Sequence, residues 1–309
     1  MAINRKAFIA KHGRDAWDAK QWVDRYSAMG SNRTKGKSGD VVTSKGTRRQ
    51  YIDVMKNVAR ELRHDKTTLE RCTPEQFTRV LERLSNDLQQ TQLNNTRIAG
   101  EKGFRCRDKY ADVKIPMVKT ELPPRVLESR AYSNDALKAI HDTLSNRHRL
   151  SLEITAVTGL RAHELLTLKP ASERPPSARN WTQLYPDRAG WIPYTVDGKG
   201  GLHTLKMLPP ALAEKLEAQR VPEHIVRDRR IEYRPVYNLV GGNALSKAFS
   251  RASNKVLGFS RGIHGCRHSY AQRRMSELPK LGYTRDQALL CVSQEMGHLR
   301  PEITEVYLR

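Results

Sequence analysis

The 309-residue sequence is poor in acidic side chains: Asp and Glu total 33 against 55 for Lys and Arg, a formal net charge of +22. Such an imbalance costs self-repulsion in a compact state, and a polyanionic partner relieves it. Nucleic acid is the expected partner, because cationic side chains displace the counterions condensed on phosphates. An anionic membrane surface carries the same charge, but the sequence has no strongly amphipathic anchor and no run near the roughly 18 apolar residues of a membrane helix. The N-terminus also lacks the continuous apolar stretch of a secretory signal, so the cytoplasm (nucleoid-associated, bacterial or phage-type) is the expected location. Cysteine is scarce as well. Cys72, Cys106, Cys266 and Cys291 lie far apart without a CxxC pair, which argues against a zinc ribbon or a disulfide framework and leaves reduced, partly buried thiols. There is no HExxH pair, no carboxylate cluster and no Walker motif, so neither a metal nor ATP is expected to take part in any chemistry.

What is present divides in two, as the length predicts at ~150 residues per domain. Residues 1–45 read as a basic N-terminal arm with one helix near Ala16–Met29, in which Trp17, Val23 and Tyr26 are packing candidates. The following Gly30–Gly39 stretch, rich in glycine and charge, reads as a flexible linker. Tyr51, Val54, Met55, Val58 and Leu62 recur at helical spacing, and Thr73-Pro74 opens a second helix striped by Phe77, Val80, Leu81, Leu84 and Leu88. A polar segment at 90–107 completes an all-helical, basic domain at 46–114. Pro116, Pro123 and Pro124 mark an interdomain linker at 115–130. In the second domain, 131–309, helices are expected at 134–144, 147–157, 243–257, 264–276 and 285–296. A β-hairpin is expected at Trp191–Leu208, and Pro170–Pro186 reads as a loop.

Three islands in this second half carry potential chemistry. In Thr158-Gly159-Leu160-Arg161-Ala162-His163-Glu164, Gly159 ends one helix and places Arg161 near the start of the next. There its planar guanidinium suits two phosphate oxygens. Glu164, three residues on, is placed to hold it, although an ordinary surface ion pair fits equally. In His264-Gly265-Cys266-Arg267-His268, His264 and Arg267 project from one helical face. A donor imidazole beside a fixed cation suits the charge that gathers on a phosphorane-like transition state. The four-residue spacing of His264 and His268 also fits a metal pair or a structural pair. The third island is Met296-Gly297-His298, followed by a short helix opened by Pro301 and carrying Tyr307. A capping box of Thr284 and Gln287 starts the preceding helix, and Gly297 suits its left-handed end. Tyr307 alone reads as a core residue.

Together, TGLR-x-x-E, H-x-x-R-H, and GH with a tyrosine nine residues beyond the histidine resemble the tyrosine recombinase (phage integrase) family across the whole second domain. The likeness of the basic helical half to that family's core-binding domain is architectural only. The resemblance implies a mainly α fold with a small antiparallel β-hairpin or sheet, comprising a helical core-binding domain and an α+β catalytic domain that form a C-clamp around DNA. It implies Arg161 and Arg267 on the scissile phosphate, His264 and His298 as its hydrogen-bonding histidines and Tyr307 as nucleophile, with Glu164 and His268 in support. A catalytic lysine in a Gly-Lys-Gly hairpin setting corresponds to Lys199, with Lys206 on the returning strand as the alternative. Either lysine also reads as a solvated hairpin charge.

The implied activity is metal- and ATP-independent strand exchange through a 3′-phosphotyrosyl link and a Holliday junction. The implied partners are double-stranded recombination sites, three further copies of the chain in a synaptic tetramer, and an accessory DNA-bending or directionality factor. The N-terminal arm favours integration of a mobile element over excision, inversion or dimer resolution. Two features depart from the family pattern. Cys266 stands where leucine is frequent, and only Leu308 and Arg309 follow Tyr307, where many relatives continue with a tail that docks on a neighbouring protomer. Different docking, a trimmed chain or another linking element such as the N-terminal arm each accounts for the latter. A type IB topoisomerase shares the tyrosine chemistry and is distinguished by relaxing DNA without exchange between marked sites. A non-catalytic architectural DNA-binding factor is distinguished by indifference to loss of the Tyr307 hydroxyl.

Overall fold

The polypeptide separates into two compact units, Met1–Val126 and Leu127–Arg309. The computed structural model describes residues 4–28, 41–123, 128–179, 184–198, 200–229, 231–298 and 300–309; the Gly30–Gly39 linker and Lys199 lie outside them.

Unit 1 contains α1 (Arg5–His12), α2 (Arg14–Asp24), α3 (Lys45–His64), α4 (Pro74–Leu84) and α5 (Gln90–Arg105), then a 3-10 turn at Asp108–Tyr110. The helical stripes predicted from spacing are its core: α3 buries Tyr51, Met55, Val58, Ala59 and Leu62, and α4 buries Phe77, Val80, Leu81 and Leu84. Each fully buried Leu or Phe contributes about 1.5–3 kcal/mol. At the start of α4, Thr73 and Gln76 exchange side-chain and backbone hydrogen bonds in a capping box.

Two boundaries differ from the sequence reading. Residues 14–28 are not an arm: α2 ends at Asp24 and buries Ala16, Ala19, Trp22 and Val23, and Tyr26 is also buried. Trp22 Nε1 and Tyr26 Oη both donate to the Ala99 carbonyl of α5, which ties this segment to the bundle. The backbone past 115 also stays with unit 1. Ile115 is in the core, its amide donates to Glu101, and Thr120 is bonded to Gln90 and Leu88.

The α5 helix admits aromatic neighbours because it carries glycine where they press. A Cβ on Gly103 would stand 2.1 Å from the Trp22 ring, and one on Gly100 would stand 2.1 Å from Phe77. Alanine at Gly103 would gain roughly 0.8–1 kcal/mol of helix propensity. Displacing a buried indole costs more, typically about 1–3 kcal/mol. Gly103→Ala is therefore expected to lower the urea midpoint of unfolding, and an unchanged or raised midpoint would show that Trp22 can shift freely.

Unit 2 runs α6 (Asn134–Thr143), α7 (Asn146–Thr158), a 3-10 turn at Glu164–Thr167, β1 (Lys169–Pro170), β2 (Ile192–Asp197), β3 (His203–Leu208), α8 (Pro210–Glu217), β4 (Val226–Asp228), β5 (Ile231–Tyr233), α9 (Gly242–Leu257), α10 (His264–Glu277), a 3-10 turn at Leu278–Leu281, α11 (Arg285–Glu295) and α12 (Glu302–Glu305). Strands β1, β2 and β3 form an antiparallel sheet in that order, with Tyr194 opposite Lys206 and Asp197 opposite His203. β4 and β5 pair separately. The α8 helix and this second pair carried too little periodicity to be read from the sequence. Among the described residues no disulfide forms; Cys72, Cys266 and Cys291 are buried and Cys106 is exposed.

Two apolar cores form within unit 2. The larger lies among α6, α7, the sheet, α8 and α9, and takes in Cys266. The smaller joins Tyr270 and Ala271 of α10 to Cys291 and Val292 of α11 and to Met296 just past its end, and includes Tyr307. The three sequence islands meet where the ends of α7, α10 and α11 converge. Among the described residues of the chain, no helix is long and apolar enough to cross a membrane.

Candidate active site

Helix α7 stops at Gly159, whose φ of +64° ends the helix in the left-handed region. A Cβ there would lie 2.6 Å from the Tyr270 ring, so glycine meets two needs at once. Arg161 then occupies a turn leading into the 3-10 segment, and does not open an α-helix as the sequence reading expected. Glu164 does hold it. One carboxylate oxygen accepts from Arg161 Nη1 at 2.6 Å and the other from the Arg161 amide at 2.8 Å. Burial opposes charge on Glu164, but Arg267 and Arg161 outweigh it and keep the carboxyl below the usual glutamate range.

Arg267 projects from the first turn of α10 and is completely buried. Its guanidinium donates to the Gly159 carbonyl, the Met296 carbonyl and His298 Nε2, the last at 2.9 Å. An arginine can only donate, so Nε2 of His298 accepts there. Nδ1 then carries the imidazole proton, toward Thr304 Oγ1 at 3.1 Å. This single cation joins the end of α7, the end of α11 and the histidine beyond it. Its charge also faces the Tyr307 side chain.

Tyr307 lies just past the four-residue α12, not on it. Its ring centroid is 4.7 Å from His268, 5.3 Å from His298 and 5.5 Å from His264, and the Arg267 Cζ is 5.5 Å from it. Gln272 of α10 donates to the Tyr307 and Arg309 carbonyls, which ties the segment down. The other lining comes from β3, on which Thr204, Lys206 and Leu208 share the buried face. Lys206 is buried among Glu164, Arg267, Glu295 and Arg161, and its ammonium donates to the Glu295 carbonyl. Burial pushes its pKa down to about 7, against the pull of Glu164. Arg161, His163, Arg229, Ser246 and His264 line an adjoining cleft of about 190 Å³.

Thus Arg161, Glu164, His264, Arg267, His268, His298 and Tyr307 converge, and Lys206 joins them. Lys199, preferred from sequence, lies outside the described residues. Sequence reasoning missed Thr304, Gln272 and Arg130, the last close enough to lower the pKa of both His264 and His268. None of the three carries a local sequence signal.

Burial first, and then Arg267, pushes His264 down to about 4 and His298 to about 3. Burial followed by Arg130 brings His268 to about 4. All three are neutral at pH 7. In the unfolded chain each titrates near 6.5, so below that pH the unfolded state binds more protons than the folded one. The stability contributed by these depressed groups is present above about pH 6.5 and is lost as the pH falls toward 4 and 3. Thermal melting is therefore expected to fall steadily from pH 7 to pH 4.5, and His268→Asn is expected to soften the slope. A flat profile would contradict neutral burial of the imidazoles.

This fold is that of the site-specific DNA recombinases of the integrase, or tyrosine recombinase, type. Among solved structures, a lambda integrase dimer bound to a COC′ core site is 18% identical, with a TM-score of 0.57, covering 98% of this chain and 84% of that one. A lambda integrase tetramer bound to a Holliday junction is 15% identical, with a TM-score of 0.55 over 99% of this chain and 84% of that one. XerH recombinase in a post-cleavage complex with palindromic difH substrate is 17% identical, with a TM-score of 0.53 over 84% and 74%. At these identities the likeness establishes the fold. No family model matches the sequence, and no curated protein matches it.

Proposed function

We propose that the protein is a site-specific DNA strand transferase of the integrase type, cutting and rejoining DNA through Tyr307. The observation that carries this reading is the packing of the Tyr307 ring among His264, His268 and His298 beside the buried Arg267. The Tyr307 oxygen forms a bond to the scissile phosphorus as the bond to the 5′-oxygen breaks. The phenolic proton passes to one neutral imidazole beside the ring, His264 or His268, and a lysine supplies a proton to the departing 5′-oxygen. Arg161 and Arg267 neutralise the charge that builds on the non-bridging oxygens, with His264 as a hydrogen-bonding partner, while His298 accepts from Arg267 and holds that guanidinium in place. Lys206 is the lysine we assign to the leaving group, because it is buried beside both arginines and burial brings its pKa near neutrality. The phosphotyrosyl link conserves the bond energy, and the freed 5′-hydroxyl of a partner duplex reverses the step.

Further parts of this reading are a tetramer on synapsed sites and integration of a mobile element. The lambda integrase tetramer on a Holliday junction supports the first through its shared fold. The test is covalent trapping in cells: denaturant-resistant protein–DNA adducts are isolated and their DNA is sequenced. Adducts at a few defined sites support the proposal and reveal the targets. Adducts scattered without sequence preference would point to a DNA-relaxing enzyme, and no adducts despite DNA binding would point to an architectural factor.

A further inference from the structure

Behind the site lies a buried ionic cluster that the reaction itself does not use. Arg274 of α10 and Glu295 of α11 are both fully buried. Arg274 Nε donates to Glu295 Oε2 at 3.0 Å and Nη2 to Oε1 at 2.8 Å, a two-point clamp. Asp187 takes two more donations from Arg274, at 3.0 and 2.9 Å, and Glu277 takes one at 2.8 Å. Tyr270 Oη donates to Glu295 Oε2 at 2.6 Å, and Cys291 Sγ lies 3.4 Å from Oε1. So many partners on one carboxylate fix its place closely.

Glu295 is also the last residue of α11, where helix carbonyls lack intrahelical donors. Two of these carbonyls hold the site's cations. Glu295 O accepts from Lys206 Nζ, and Met296 O accepts from Arg267 Nη2. Gly297 then turns the chain at a φ of +69° and delivers His298 to the same arginine. The helix dipole favours cations at this end. Whatever sets the position of residue 295 therefore sets Lys206, Arg267 and His298 together.

We propose that Glu295, clamped by Arg274, is a positioning residue for strand cleavage: its carboxylate anchors the helix end whose carbonyls aim Lys206 and Arg267. The inference rests on the recombinase reading and adds to it a brace outside the reacting groups. A buried ion pair is a poor source of net stability, since apolar residues of similar volume often replace it at no cost. Its placement against the site gives it a different task.

Two variants test this in the full-length protein, using a duplex that carries a trapped target site. Glu295→Gln keeps shape and most hydrogen bonds, and Arg274 keeps Asp187 and Glu277 as counterions. The double variant Arg274→Met with Glu295→Leu guards against a folding defect in the single one. Both are expected to bind DNA within about threefold of wild type. Single-turnover cleavage is expected to fall by about tenfold to a hundredfold, as displacing catalytic groups by an ångström does.

A purely structural role would lower the active fraction without moving the pH profile. Lys206 is faced by Glu164 and Glu295, which favour its charged form, and by Arg267 and Arg161, which oppose it; His298 also faces it and is neutral at the assay pH. Removing the Glu295 charge lowers the Lys206 pKa further. The alkaline fall of the cleavage rate is therefore expected at lower pH in Glu295→Gln than in wild type. Wild-type rates and an unmoved profile in both variants would overturn the inference while leaving the recombinase reading intact. No adduct from the wild type would remove both.

Discussion

Tyr307→Phe is expected to abolish covalent capture of DNA while changing DNA affinity by less than about threefold and stability by less than about 0.5 kcal/mol, the usual range for a change that breaks no packing. The ring makes the packing contacts with His264, His268 and His298, and phenylalanine retains them. Only the oxygen that would bond to phosphorus is lost. The buried tyrosines Tyr270 and Tyr185 are poor replacements. Tyr270 is buried and donates to Glu295, Tyr185 is buried and donates to the Leu205 carbonyl, and burial holds both phenols well above the usual tyrosine pKa. Gel-shift titration, thermal melting and denaturing-gel detection of adducts check the three parts separately. Adducts of wild-type yield from the phenylalanine variant would show that another side chain is the nucleophile.

Arg267→Lys is expected to slow cleavage by about 10²–10³-fold, the cost of removing one fixed donor from a developing oxyanion. The charge is conserved, yet the substitution is severe for geometric reasons. The guanidinium reaches the Gly159 carbonyl, the Met296 carbonyl and His298 at once, and an ammonium on a flexible stem cannot reproduce that planar fork. At least one buried carbonyl then loses its donor, which costs about 1–3 kcal/mol. Arg161→Lys makes the contrast: Arg161 is partly exposed, and among the described residues its side chain is paired with Glu164 alone. It is expected to lose comparable activity with little change in melting temperature. Single-turnover cleavage and thermal melting of the two variants side by side are the measurements. Cleavage by Arg267→Lys within tenfold of wild type would sink this assignment of its role.

Much of the fold was legible because helices and hairpins announce themselves locally. The Tyr51–Leu62 and Phe77–Leu84 stripes, the Thr73 N-cap, the Thr284 capping box and the Trp191–Leu208 hairpin all appear where spacing and turn residues put them. The misreadings came where long-range packing decides. Residues 14–28 looked like an arm because their charge is local information, while the groove that receives Trp22 is formed by Gly103, some eighty positions away along the chain. The α12 helix proved too short to carry Tyr307, which is placed instead by Gln272 of α10.

The sequence by itself determined the basic character of the chain, its mainly helical build and the three islands, since each depends on composition or on residues within a few positions of one another. Tertiary structure alone placed Lys206 beside the arginines. Along β3 both faces carry apolar residues, Leu205 and Met207 on one and Leu208 on the other, so alternation could not say which face is inward. Only packing of that strand against α11 turned Lys206 toward the Glu295 carbonyl. It decided likewise that Arg274 and Glu295, twenty-one residues apart and unremarked in the sequence, meet in the interior. Ion pairs between separate helices leave no periodic trace; they exist only once the helices have packed.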